Sequence, residues 1–334
     1  MKKISISFLA ATLLVVSCQK NERVLNEPAA DDELSAAPVR LCASQEVLEE
    51  QLRTDPQRAR NLEELERKTE QFQGRGINAR VAATLYIPVV VNVVLPNSAR
   101  VTDAQIQSQL DVLNADYGRK NTELNNSGVY LAGYQLSSVP DCQLIFYIAN
   151  AATDIRRKDA TGSFGTNDAV KKTSSGGLDP LSPTTKMNMW VCDLSSGLLG
   201  YAQFPGGSSA TDGVVIDYQA FGTDAATSYA MYAQFNLGRT ATHEVGHWLN
   251  LRHIWGDTRC GNDQVGDTPA HDASNGGCPS TSLQSRCTGK PLEQWMNYMD
   301  YTDDRCMYMF TAGQKTRMDA AIDGPRASWL RTTK

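Results

Sequence analysis

Three of the chain's four histidines fall in one run, His243-Glu244-Val245-Gly246-His247-Trp248-Leu249-Asn250-Leu251-Arg252-His253. On a helix His243 and His247 lie four residues apart, so both imidazoles project from one face and can share one ion. Glu244 sits beside the first of them, where it can serve as general base toward a water at that ion. His253 lies beyond the helix, and the chain must turn sharply to bring it back as a third ligand. Three neutral nitrogens with a fourth position open are the arrangement of a hydrolytic Zn2+ site, whereas structural zinc sites are closed. Isolated helical histidines are often plain surface residues; their concentration here favours the metal reading.

The surrounding pattern supplies elements to hold such a site. Thr84 to Leu95 is dense in Val and Ile and predicts a buried strand. Thr102 caps a helix with Ile106, Leu110, Leu113 and Tyr117 on one face. Further strands are expected at Cys142–Ile148, Lys186–Leu194, Gly200–Phe204 and Val214–Tyr218, and the motif helix starts near Thr240. After the motif the chain reads as loop with one late helix. The fold class expected is α+β, a domain split by a cleft with the metal at its floor. Upstream, Ser44–Gln73 has a charged helical pattern with Val47, Leu48, Leu52, Leu62, Leu65 and Phe72 as its apolar face. Gly74–Arg80 then forms a basic linker suited to proteolytic nicking.

With 334 residues the chain can bury a sizeable core. A net charge of -5 and a pI near 5.5, with no basic stripe, argue against a nucleic-acid partner. Met1-Lys2-Lys3 followed by an apolar stretch to Val16 has the layout of an export signal and is short for a membrane span. Its Val-Val-Ser-Cys ending resembles a lipoprotein processing site with Cys18 as the lipidated residue, and Gln19-Lys20-Asn21-Glu22 resembles a surface-export signal. The organisation expected is residues 1–18 signal peptide, 19–79 prosegment and 80–334 catalytic domain. Membrane attachment would run only through the N-terminal lipid, and the protein is expected to act as a monomer. Export permits disulfides. Cys260, Cys278, Cys287 and Cys306 cluster after the motif, and four cysteines allow three pairings. Cys142 and Cys192 either pair or stay buried as thiols.

The histidine run, with Asn297-Tyr298-Met299-Asp300-Tyr301 downstream, resembles the pappalysin family of metzincin metallopeptidases, from about Val39 to Phe310. The family pattern carries Gly where Asn250 stands. That residue ends the helix in the left-handed region, which Asn tolerates best after Gly. The resemblance implies a two-subdomain catalytic domain: a twisted mixed sheet, an active-site helix and a loop-rich C-terminal subdomain, preceded by a prosegment. It implies His243, His247 and His253 as zinc ligands, Glu244 as base, Met299 as the turn beneath the metal and Tyr301 as donor to the oxyanion. Asp304, with Asp303 its neighbour, matches the acidic base of the primed-side pocket and implies a preference for Arg or Lys there. Leu199–Pro205, with Gly200, Tyr201 and Ala202, matches the edge strand that holds an extended peptide. Protein or peptide substrates follow. The resemblance also implies Cys260–Cys287 and Cys278–Cys306 bridges, and a Ca2+ loop using Asp263, Gly266 and Thr268, with Asp257 and Asp267 as weaker candidates. Cys42, in Arg40-Leu41-Cys42, matches an inhibitory cysteine that would take the open zinc position and make the chain a latent zymogen. Cleavage before Arg75 or Arg80 would release it. Two other readings stand beside this one: a hydrolase of non-protein amides, and a non-catalytic surface lipoprotein with a structural zinc.

Overall fold

The computed structural model describes residues 40–74, 84–329 and 331–333. The export signal, Cys18 and linker residues 75–83 lie outside the described residues, as do the cleavage sites at Arg75 and Arg80. Among the described residues no helix is long and apolar enough to cross a membrane.

The charged helical stretch forms two helices, α1 (Ser44–Thr54) and α2 (Pro56–Gln73). The break was written in the sequence: Asp55 caps α2 by accepting from the Gln57 amide at 2.8 Å, and Pro56 occupies the first helical position, where no amide hydrogen is needed. Then come β1 (Leu85–Leu95), α3 (Asp103–Tyr117), β2 (Leu144–Tyr147), the single turn α4 (Ala151–Asp154) and β3 (Ile155–Asp159). After β4 (Met187–Cys192), β5 (Gly200–Ala202) and β6 (Val214–Asp217), the chain enters α5 (Arg239–Trp248) and, much later, α6 (Ala312–Asp323).

The sheet order is β2-β1-β4-β6-β5, with β3 also pairing β1. Every pairing is parallel except β5 against β6, so the sheet is mixed only at the β5 edge. β1 lies in the interior, which explains its nearly unbroken apolar run. Its two faces have separate jobs. Ile87, Val89, Val91, Val93 and Leu95 pack against α3 and α5, while Val94 joins Trp190, Val215 and Tyr201 beneath Val47 of α1. The sheet therefore presses α5 between itself and the loop-rich segment that follows. β3 was not foreseen; its sequence, Ile-Arg-Arg-Lys-Asp, has no apolar face to read.

Candidate active site

α5 begins at Gly238, whose φ of 78° only glycine adopts freely. It ends as the sequence implied: Asn250 sits at φ 73°, and the Leu251 amide donates back to the Gly246 carbonyl at 2.9 Å. The chain thereby reverses and returns His253 to the helix face. The Nε2 atoms of His243 and His253 each lie 3.1 Å from that of His247. Each Nδ1 is already engaged, His243 with the Tyr298 carbonyl at 2.7 Å, His247 with the Leu251 carbonyl at 2.8 Å and His253 with the Asp257 carboxylate. Carbonyl and carboxylate partners make Nδ1 the protonated nitrogen, so three Nε2 lone pairs converge. Lone pairs that close repel unless a cation sits among them. Tetrahedral Zn–N bonds of about 2.0–2.1 Å set neighbouring nitrogens at ~3.3 Å, so the donor set fits zinc. Burial holds His243 and His247 well below the usual imidazole range, each reinforced by neighbouring imidazoles, which keeps them neutral.

Two glycines let other parts approach. A Cβ on Gly246 would meet the Met299 sulfur at 2.5 Å, so Met299 lies directly under the helix. A Cβ on Gly200 would meet Glu244 Cγ at 2.9 Å, so β5 runs against the carboxylate. Glu244 is fully buried and its carboxyl is pushed up to about 7, chiefly by burial.

Residues Arg40–Ser44 lie in the cleft along β5. The Leu199 amide donates to the Leu41 carbonyl at 2.9 Å and the Ala43 amide to the Gly200 carbonyl at 3.1 Å, a parallel bridge centred on Cys42 and Gly200. Cys42 Sγ falls within 4.8 Å of the three imidazole donors and 3.4 Å from Glu244 Oε2. Burial and then the Glu244 charge push its thiol well above its ordinary range; a divalent cation among the imidazoles would reverse that balance. Ser44 Oγ donates to Glu244 Oε2 and accepts the Ala202 amide, both at 2.8 Å. Tyr301 Oη lies 3.1 Å from His253 Nε2 and donates to the Cys42 carbonyl at 3.2 Å.

Asp304 is fully buried at the end of this cleft. Arg40 Nη2 donates to Asp304 Oδ1 at 2.5 Å, and Nη1 donates to Thr240 Oγ1 at 2.9 Å. The Leu237 and Arg239 amides hold the other carboxylate oxygen at 2.8 and 3.2 Å. Asp303 points elsewhere, toward Arg305.

The bridges are Cys260–Cys287 and Cys278–Cys306. Cys192, at the end of β4, forms no disulfide, so the Cys142–Cys192 alternative falls. The Asp263 turn is compact: Thr268 Oγ1 donates to Asp263 Oδ2 at 2.9 Å and Val265 N donates to Oδ1 at 3.1 Å. Asp257 orients His253, and Asp267 accepts from Thr311, Gly313 and Tyr134 at the start of α6.

The sequence profile of the peptidase family described as Pregnancy-associated plasma protein-A matches residues 179–323. An extracellular metalloprotease of Verticillium alfalfae is 32% identical over 244 residues, 72% of this chain and 76% of the relative. This chain belongs to the pappalysin family. Among solved structures, promirolysin of Tannerella forsythia superposes with a TM-score of 0.74 at 38% identity, covering 87% of this pappalysin and 97% of that chain. Mature mirolysin of the same organism, in complex with a cleaved peptide, matches with TM-score 0.67 at 41% identity over 75% and 96% of the two chains. This pappalysin is accordingly a secreted zinc metalloendopeptidase acting on proteins or peptides.

Sequence reasoning missed Ser44, Asp257 as a partner of His253, Thr240, and Phe235, whose ring centroid lies 4.9 Å from the Arg40 guanidinium carbon. Thr240 alone carried a usable signal, because it stands three and four residues before His243 and Glu244, on their face of α5.

Proposed function

We propose that the enzyme is made latent, that its Arg40–Ser44 segment fills the cleft, and that it cleaves before arginine or lysine. The observation that carries this reading is the Arg40 guanidinium on Asp304, with Cys42 and Ser44 on the imidazoles and Glu244. A basic side chain from the chain's own N-terminal segment fills the acidic pocket, as a substrate's would. An extended peptide paired to β5 also favours a protein substrate over a non-protein amide.

His243, His247 and His253 would hold zinc, whose Lewis acidity would assist attack on the scissile carbonyl. Glu244 takes the proton of the attacking water and passes it to the leaving amine. Tyr301, whose hydroxyl burial keeps protonated, donates to the developing oxyanion. Met299 supports the floor. The edge strand Gly200–Tyr201–Ala202 holds the substrate backbone once Cys42 and Ser44 leave. Asp263, the Thr268 hydroxyl and the Gly266 carbonyl would hold a structural Ca2+, oxygen donors of the type that ion takes.

The test incubates the full chain, wild type beside Glu244→Ala, with and without a zinc chelator, followed by intact mass and N-terminal sequencing. The expected result is zinc-dependent shortening to a start at Arg75 or Arg80, absent from the variant. If neither protein shortens, and trypsin-treated wild type leaves an unfolded arginine-rich protein intact, the reading fails. A parallel arm adds calcium to chelated protein and expects a rise in Tm that Asp263→Asn lacks.

A further inference from the structure

We infer that Thr240 and Phe235 make the Asp304 pocket select arginine over lysine. This rests on the reading above, in which that pocket takes the residue following the cleaved bond.

Asp304 alone gives either cation its charge partner. The commonest way a carboxylate prefers arginine is a two-pronged bond, one guanidinium N–H to each oxygen. That way is closed here. Oδ2 is occupied by the Leu237 and Arg239 amides, which leaves only Oδ1 facing the pocket. Arg40 accordingly meets Asp304 through one nitrogen, Nη2, which also reaches the Thr302 carbonyl at 3.4 Å. Its Nε finds no acceptor. The second prong goes to Thr240 Oγ1, a different wall of the pocket on α5, at 2.9 Å.

A lysine brings one nitrogen to the same place. If it sits on Asp304 Oδ1, it leaves Thr240 Oγ1, which is buried, without its donor. Unmet polar groups in such sites are what reject a close analogue. The Phe235 ring adds to the difference. The Arg40 guanidinium carbon lies 4.9 Å from its centroid, and a flat, weakly hydrated guanidinium stacks on such a face better than a compact ammonium. The loop bearing Phe235 also supplies the amides that fix Asp304, and the Asp304 amide donates back to the Gln234 carbonyl at 2.9 Å. One segment, Gln234–Thr240, therefore builds both the charge and the discrimination.

The test measures kcat/KM of the trypsin-activated enzyme on peptides differing only in arginine, lysine or norleucine after the scissile bond. Wild type is expected to favour arginine over lysine. Thr240→Val should reduce that ratio about tenfold, and Phe235→Leu about threefold. Asp304→Asn should depress both basic peptides toward norleucine. If wild type does not prefer basic peptides at all, the pocket reading fails. If it prefers them but Thr240→Val keeps the arginine-to-lysine ratio, the present inference is overturned. A second measurement needs no turnover. In the uncut chain Arg40→Lys should lower Tm by about 2 °C, and by clearly less when Thr240 is already valine, where only the stacking on Phe235 remains to be lost. An equal drop in both backgrounds overturns the inference, even if the activated variant does not survive purification.

Discussion

The two halves of this enzyme are ordered by different means. Before the third histidine, a mostly parallel sheet and two helices enclose a core in which Val89, Val91, Met189, Trp190 and Ile216 have no exposure. After it, from Ile254 to Phe310, the only regular element among the described residues is one 3-10 turn at Asp304–Cys306. That stretch is instead held by two disulfides and by buried polar chains. Asn275 Nδ2 bridges Glu293 and Asp300 at 2.7 and 2.8 Å, and Asn297 Nδ2 reaches Gln314 Oε1 at 2.8 Å. The contrast is functional. The regular half holds Glu244 and two of the three converging imidazoles, His243 and His247, on one rigid helix; the loop half holds Asp304 and Tyr301.

The comparison breaks most visibly at the disulfides. Cys278–Cys306 closes a sequence separation of 28 residues and anchors the turn that begins with Asp304. Replacing both cysteines with serine should cost about 3 kcal/mol. Hydrogen exchange should show the loss in the segment after Ile254, with the amides of β1, β4 and β6 remaining protected. Preference for basic peptides should fall more than kcat on the best peptide. Uniform loss of protection across the sheet would show that the two halves unfold as one unit, and that the contrast drawn here is only architectural.

The same contrast governs how much could be read in advance. The strands β1, β4 and β6 and the face of α3 were legible because periodic burial writes itself into residue type. The histidine run was legible because metal chemistry restricts both residue types and spacing. In the loop half, resemblance to known relatives pointed to Asp304, Met299 and the bridges; periodicity did not. Asp257 shows why. Acidic residues in an acidic loop look alike until the structure shows that one of them holds Nδ1 of His253. Ser44 was invisible for another reason. It reads as an ordinary residue at a helix start, yet its hydroxyl joins the base to the edge strand.

The N-terminal segment touches both halves: Arg40 joins Asp304 of the loop half to Thr240 of α5, and Ser44 lies on the sheet edge and α5. Ser44→Ala in the full chain would leave the Ala202 amide without its acceptor and remove a donor from Glu244. An unmet buried group costs roughly 1–3 kcal/mol, so self-processing should speed up about tenfold. The processed enzyme should match wild type, since Ser44 would depart with the segment. Arg40→Ala tests the other contact. If it accelerates processing and Ser44→Ala does not, latency rests on the Arg40 pocket and not on the sheet edge.

The smallest effect is a slope. Asp217, at the end of β6, is buried and held at about 7 by desolvation, although the Leu194 and Gln219 amides donate to it at 2.9 and 2.8 Å. In the loop half, Asp300 is likewise raised to about 7, chiefly by burial. An aspartate in the unfolded chain titrates near ~4. Because the folded value is higher, the contribution of each group is fully present below about 4 and is lost as pH rises through about 7. One proton limits the slope to about 1.4 kcal/mol per pH unit. Asp217→Asn should therefore lower Tm at acid pH, since the amide satisfies only one of the two donors, yet flatten the decline toward pH 8. Asp300→Asn should flatten it too, and a Tm series on the three proteins from pH 4.5 to 8 decides the matter. A slope unchanged in Asp217→Asn would mean that this carboxylate ionises freely within the sheet half, and that the rigid core tolerates a charge its packing argues against.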